Sequence, residues 1–262
     1  VEDGAGNVNS AAASTSATFN DVCGDDTVLL LAFDEDTAGV AEDWGPNGSN
    51  AEEAGVGRTI GRFGNALRVS GTGSAVVPHN ADLEAGGPVS VELWMKRNGA
   101  TEDLEVLLAK GDPSTYGLAL FGDTLIFGFD APDLTEFATF ASGVTDGDWH
   151  HVVGVYDGLE LSLYVDGSLA SSTPTFGGTP SVNTQDLTIG SFFGIGAALN
   201  GEIDQLRVYD TALSASEVVD RFADGEACPL GENLALGAVA EASSTLNPLF
   251  TADNTIDNDT QE

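Results

Sequence analysis

Hydrophobic and polar positions alternate most clearly between residues 146 and 170, Asp-Gly-Asp-Trp-His-His-Val-Val-Gly-Val-Tyr-Asp-Gly-Leu-Glu-Leu-Ser-Leu-Tyr-Val-Asp-Gly-Ser-Leu-Ala. Successive side chains of a strand point to opposite faces. Trp149, His151, Val153 and Val155 therefore share one face, and His150, Val152 and Tyr156 the other. After Asp157-Gly158 the alternation resumes, with Leu159, Leu161, Leu163 and Val165 set against Glu160, Ser162 and Tyr164. Asp-Gly suits a two-residue type I′ turn, because both central positions need positive φ. The pattern predicts a β-meander with one apolar and one wetter face.

Short apolar or alternating runs recur along the chain. They predict strands at Val28–Phe33, Ala66–Val69, Ala75–Val77, Val89–Arg97, Val106–Lys110 and Tyr116–Phe121. Further runs lie at Thr124–Phe129, Glu136–Ala141, His150–Asp157, Leu161–Val165, Asp186–Gly190 and Gly201–Tyr209. Short strands separated by Gly, Pro and Asp predict an all-β fold, a two-sheet antiparallel sandwich. One short C-terminal helix is signalled by Leu-Ser-Ala-Ser-Glu-Val-Val-Asp-Arg-Phe-Ala-Asp-Gly. Ser214 and Glu217 form a capping box, Gly225 is the stop, and Val218, Val219 and Phe222 are expected to face the sheet.

Charge changes the picture of what this sandwich meets. Eight Lys and Arg stand against 42 Asp and Glu in 262 residues, a net charge of −34. Such a field repels nucleic acid and anionic membranes, which argues against both as partners; a simply solvated acidic surface is the plainer reading. Repulsion of the protein by itself is screened within roughly 8–10 Å at physiological salt, so the composition suits a saline setting or one rich in divalent cations. No apolar run approaches the length of about 18 residues that a membrane-spanning helix needs, so membrane insertion is not expected. The first residues lack a basic start and an apolar stretch, and the numbering is expected to begin inside a larger or mature protein.

The meander is also where a family resemblance begins. Gly147-Asp-Trp-His-His-Val-Val-Gly-Val-Tyr-Asp-Gly158 followed by Leu161-Ser-Leu-Tyr-Val-Asp-Gly167 resembles the middle of a laminin G-like jelly roll of the concanavalin A-like lectin/glucanase superfamily. The likeness extends upstream through Gly61-Arg-Phe-Gly-Asn-Ala-Leu-Arg-Val69 and downstream through Gly201-Glu-Ile-Asp-Gln-Leu-Arg-Val-Tyr-Asp210. It implies a jelly-roll domain over residues 21–229. Residues 1–20 resemble the closing strand of a bacterial immunoglobulin-like repeat and a linker. Residues 230–262 resemble the incomplete start of a discoidin-type galactose-binding-like domain, through Asn233-Leu-Ala235, Ala242-Ser-Ser244 and Ala252-Asp-Asn-Thr-Ile-Asp257.

The resemblance also bears on Cys23 and Cys228, which flank the jelly-roll segment. The first and last strands of this fold are neighbours, so a disulfide between them is expected, and with it an extracellular or cell-surface location. In the chain-entropy model so long a loop contributes on the order of 5 kcal/mol. Two unrelated thiols are the alternative.

Candidate chemistry is sparse. Glu202-Ile-Asp204 begins like the Glu-x-Asp-x-(x)-Glu strand of glycan-cleaving relatives, but Gln205, Leu206 and Arg207 follow, and the second glutamate is missing. No Gly-x-Ser-x-Gly elbow occurs, and His150 and His151 diverge across their strand. No catalytic residue is expected. Alternation puts Asp204 on one face with Leu206 and Val208, so it should point inward and need a partner. Arg62 or Arg68 is one option. The other follows from the resemblance, since many relatives carry a structural calcium (Ca2+) there. On that reading Asp34, Asn47 and Asp204 are the metal ligands, with backbone carbonyls completing the shell. Aromatic platforms for a ligand are expected at Trp44, Tyr116, Phe192 and Phe193, and Trp94 and Trp149 are expected in the core.

Together these features predict a non-catalytic extracellular recognition or adhesion module within a larger surface protein. Its expected partner is a glycan or glycoprotein. Two alternatives stand beside it: an accessory carbohydrate-binding domain of a secreted polysaccharide-degrading enzyme, and a fibre subunit whose copies exchange terminal strands.

Overall fold

The structure is a computed structural model that describes residues 26–224 except 100, 113, 133–135 and 193–196. Residues 1–25 and 225–262 lie outside it, and with them the proposed disulfide Cys23–Cys228, the stop at Gly225 and both flanking segments.

The described strands make two antiparallel sheets of eight strands each. The first runs, in spatial order, β14 (Ser168–Pro174), β13 (Glu160–Val165), β12 (Asp146–Tyr156), β7 (Val89–Asn98), β16 (Gly201–Tyr209), β5 (Asn65–Val69) and β4 (Gly57–Ile60), and β1 (Thr27–Leu31) pairs with the far half of β16. The second runs β11 (Glu136–Ser142), β10 (Thr124–Asp130), β9 (Tyr116–Gly122), β8 (Thr101–Lys110), β15 (Leu187–Ile189), β6 (Ser74–Val77), β3 (Ala51–Ala54) and β2 (Val40–Ala41). This is the two-sheet antiparallel sandwich that the alternation predicts, with the jelly-roll form that the resemblance implies.

Every predicted strand is present. Strand β14 is the third strand of the expected meander, and β2, β3 and β4 are strands that the sequence pattern does not mark. Their sequences, Val-Ala, Ala-Glu-Glu-Ala and Gly-Arg-Thr-Ile, carry no alternating apolar face, and β2 and β4 are sheet edges that bury little.

The main core lies between the sheets. Leu67, Val91, Leu93, Met95, Val152 and Ile203 of the first meet Leu107, Leu118, Leu125, Phe127 and Ile189 of the second. Arg97 and Glu105, both buried, join β7 to β8 through a two-pronged ion pair at 2.6 and 3.1 Å.

The meander differs from its expected form in two ways. Only Asp166-Gly167 is a type I′ turn, with φ of 49° and 74°. At Asp157-Gly158 the aspartate carboxylate closes the loop instead, accepting from Leu159 N and Glu160 N at 2.8 and 2.7 Å. Nor is one face wet. Val152 and Tyr156 enter the main core, while Val153 and Val155 join a second cluster with Tyr164, Tyr209, Leu213 and Val218.

That second cluster is covered by helix α1 (Ala215–Asp224), whose capping box forms as predicted. Ser214 N donates to Glu217 Oε2 at 2.7 Å, and Glu217 N donates to Ser214 Oγ at 3.3 Å. Val218 is buried, but Val219 is about half exposed. Trp94 is buried beneath the helix and not between the sheets, stacked with Phe222 at 5.9 Å and edge-on to Phe63 at 5.7 Å. Trp149 is only half-buried.

One bulge decides where Asp204 points. Gln205 has φ 50°, and the pairing of β16 with β7 slips between Asp204 and Arg207. The extra residue flips the phase of the alternation. Ile203, Leu206 and Val208 take the core face, and Asp204, opposite Trp94, lies on the helix side. The expected sharing of a face by Asp204, Leu206 and Val208 is corrected accordingly.

Candidate functional site

Strands β8 to β11 are successive neighbours, with the β8–β9 pairing shifting between Val106 and Leu108, and residues distant in sequence form rows on their outer face. Ala109 opposes Gly117, Gly117 opposes Gly128, and Gly128 opposes Ala138. The next row runs Val106, Ala119, Ile126 and Phe140. A row of side chains no larger than a methyl beside a row of larger ones leaves a trough. It is a groove of about 290 Å³ lined by these small residues together with Leu104, Ile126, Phe129, Phe137 and Phe192. Added bulk at Gly117 is tolerated by the backbone, because a Cβ there meets nothing nearer than Leu108 O at 3.7 Å.

The groove is apolar with a polar end. Ser114 and Asp130 lie at that end, where Ser114 N donates to Asp130 Oδ2 at 2.7 Å. Beside it, Leu104, Phe121 and Phe140 are 45%, 53% and 53% exposed. Leu104 opposes Phe121 and Phe140 opposes Ile126, so these side chains extend the same surface. Phe192 arrives on the loop after β15, which is tied to β8 by Gly190 N donating to Leu107 O and Val106 N donating to Ala197 O, both at 2.8 Å.

Of the four aromatic platforms expected from the sequence, Phe192 lines this groove. Phe193 lies outside the described residues. Trp44 is 43% exposed but sits on the turn after β2, apart from the groove lining. Tyr116 is corrected to a core residue. It is fully buried, its hydroxyl donates to Leu83 O at 3.2 Å, and burial pushes its pKa up. Gly117, Gly128 and Ala138 were not foreseen, because only strand register aligns them.

The proposed calcium ligands divide between two places. Asn47 donates from Nδ2 to Val28 O at 3.1 Å. Asp34 and Asp204 instead flank the turn Gly61-Arg-Phe-Gly64 between β4 and β5. Phe63 N donates to Asp204 Oδ2 at 2.9 Å, and Asn65 N donates to Asp34 Oδ1 at 2.7 Å. Gly64 has φ 53°, and a Cβ there would stand 2.0 Å from Asp34 Oδ1.

Calcium needs roughly six to eight oxygen ligands. Here the carboxylates face N–H donors, and among the described residues no three His, Cys, Asp or Glu side chains converge on a common point. As placed here, Asp34, Asn47 and Asp204 do not share one coordination shell.

Burial pushes the Asp204 carboxyl up to about 7, and the nearby Asp34 adds to this against the hydrogen bonds from Phe63 and Arg62. Its Oδ1 is buried without a partner. Neither arginine considered as a partner pairs with it. The Arg62 guanidinium lies over Trp94 at 4.8 Å, and Arg68 pairs with Glu202 at 2.6 Å.

A second buried acid, Glu92, holds the first sheet to the helix side. It accepts from His151 Nε2 at 2.9 Å, Arg207 Nη1 at 3.3 Å and Tyr209 OH at 2.5 Å. Burial alone would raise its pKa, but Arg207, His151 and Arg221 hold it at about 2.

Every basic side chain of the protein has such an internal partner. Arg58 pairs with Glu35 and Glu53, Arg68 and Lys96 with Glu202, Arg97 with Glu105, and Arg207 and Arg221 with Glu92. Arg62 stacks on Trp94, and the buried Lys110 donates to Asn183 O and Gln185 O. The histidines follow suit: His79 meets Glu84, His150 meets Asp146 and Asp166, and His151 meets Glu92.

Comparison with solved structures finds folds of the same kind. The binding domain of Paraclostridial Mosquitocidal Protein 1 superposes with a TM-score of 0.65 at 18% identity, over 76% of this chain and 52% of that one. The binding domain of botulinum neurotoxin DC, solved in complex with rat synaptotagmin II, gives 0.62 at 17% identity, over 77% and 52%. A structure of botulinum neurotoxin type C gives 0.62 at 16%, over 79% and 53%. This chain thus spans about half the length of each. No curated protein matches it. Residues 70–219, more than half of the sequence, match the laminin G-like family profile of the concanavalin A-like lectin/glucanases superfamily, and the chain belongs to that superfamily.

Proposed function

We propose that this chain is a non-catalytic recognition module that binds a glycan or glycoprotein in the groove over β8–β11. The groove itself carries the reading. Sugars present C–H faces that pack on apolar and aromatic side chains, and hydroxyls that need polar groups at the rim. Ile126 and Phe192, with the half-exposed Leu104, supply the first, and Ser114 and Asp130 the second. At about 290 Å³ the groove is near the small end of ligand sites, roughly 300–1,000 Å³, which suits a short epitope.

The structural neighbours support the reading by the partners they are known with. One was solved with SialylT, one with rat synaptotagmin II, and one is described as interacting with two ganglioside molecules. An extracellular or cell-surface setting within a larger protein belongs to the same proposal. Its support is the acidic charge, the cysteine pair and the discoidin-like residues 230–262.

Glycan-array binding by the native protein and by Gly117→Leu tests it. The leucine side chain fills the trough without disturbing the backbone. Array hits that weaken at least about tenfold in the variant, at unchanged melting temperature, support the groove. Equal binding by both proteins places recognition elsewhere.

A further inference from the structure

The proposed ligand site has an unusual charge environment. Among the described residues, none that lines the groove is basic, and Asp130 is the one charged side chain there. All eight Lys and Arg and all three His lie outside the groove lining, and each has an acidic, carbonyl or aromatic partner elsewhere in the fold. The rest of the surface is strongly acidic, with a net charge of −34. An anionic ligand entering this groove would lose water, meet a carboxylate, and find no cation to pair with. Burial of an unpaired charge is strongly disfavoured, and the field of the whole protein opposes its approach.

We infer that the groove selects uncharged glycans and rejects sialylated, sulfated or uronate-bearing ones. The inference rests on the reading of the groove as a glycan site and adds the class of glycan. It also separates this chain from the neighbours described with gangliosides and SialylT. The discrimination is a negative one. Apolar packing on Phe192 and Ile126 is the same for a neutral sugar and its anionic counterpart, so Asp130 and the missing cation set the difference.

Matched pairs test this directly. Neutral oligosaccharides are arrayed beside their sialylated, sulfated and uronate-terminated counterparts and probed with the full chain at about 150 mM salt. Isothermal titration of the hits gives the affinity ratio within each pair. The neutral member should bind at least about tenfold more tightly, about 1.4 kcal/mol. Asp130→Asn keeps an acceptor for Ser114 N and removes the charge, so the ratio should fall. An anionic member bound as tightly as its neutral partner overturns the inference and leaves glycan recognition standing. A ratio unchanged in Asp130→Asn overturns its assignment to this groove. Binding to neither member of any pair overturns glycan recognition itself, and the inference with it.

Discussion

The backbone N–H of Phe63 donates to Asp204 Oδ2 at 2.9 Å, joining positions 141 residues apart. Gly61 N donates to Gly64 O at 3.0 Å to close the turn, and the carboxyl of Asp204 fills the space beneath it. One oxygen of that carboxyl is satisfied and the other is not. Asp204 is therefore an anchor for the β4–β5 turn that is better accommodated protonated than charged.

Asp204 should make stability fall as pH rises. Its folded pKa of about 7 lies above the ordinary 3.8, so the folded state holds the proton more tightly between those values. The anchoring is complete below about pH 4 and weakens progressively up to about pH 7. The gap corresponds to about 4 kcal/mol. Asp204→Asn keeps an acceptor for Phe63 N and has no charge to bury. Urea midpoints between pH 4 and 8 should be flatter in this variant than in the native protein, and no lower at pH 8. Parallel curves would contradict the assignment.

Glu92 acts in the opposite direction and in another window. Its folded pKa of about 2 lies below the ordinary 4.5, so its contribution is present above about pH 4.5 and is lost as pH falls toward 2. For His150, burial opposes the charged ring, but Asp146 and Asp166 hold its pKa above 6.5, so its contribution fades as pH rises through the folded value. These signs together place maximum stability on the acid side of neutrality, near pH 4–5. Glu92→Gln leaves Arg207 and Arg221 without their buried counter-charge and should cost roughly 3–5 kcal/mol. Its acid limb below pH 4 should also be shallower. Chemical denaturation across pH 2–8 measures both.

Gly64→Ala tests the turn from its other side. Its φ of 53° disfavours a side chain, and an added methyl would stand 2.0 Å from Asp34 Oδ1, breaking the bond from Asn65 N. The expected loss is about 2–4 kcal/mol, from the backbone preference together with a charged hydrogen bond. Gly57→Ala is the control, because a Cβ there meets nothing within 4 Å. Its stability should change by less than about 0.5 kcal/mol. Equal melting temperatures for the two variants would count against the cradle.

Ionic strength should matter more than the identity of the cation. With every basic side chain committed internally, the remaining acidic surface repels itself until it is screened. The Debye length shortens from about 30 Å at 0.01 M salt to about 3 Å at 1 M. The melting temperature should climb over that range of sodium chloride. Calcium should raise it no further than magnesium at equal concentration, because Asp34, Asn47 and Asp204 do not converge as a ligand set. A rise specific to calcium, measured on chelator-treated protein, would reverse that conclusion.

The strands and the helix were legible in the sequence because their signals are local. Period-2 alternation marks β12 and β13, Asp166-Gly167 marks their neighbour's turn, and Ser214 with Glu217 marks the helix start. Acidity, too, is a property of composition alone. The edge strands β2 and β4 stayed hidden because they bury too little to need apolar residues. Tertiary structure decided the rest. A single left-handed residue, Gln205, moved Asp204 from the core face to the helix side, and alternation counted along the sequence does not register such a bulge. The groove exists only because pairing aligns Ala109, Gly117, Gly128 and Ala138, drawn from four strands. Tyr116 is withdrawn from solvent by a neighbour 33 residues away, the carbonyl of Leu83. Local pattern specifies which segments become strands; register and packing between distant segments determine which side chains line the groove.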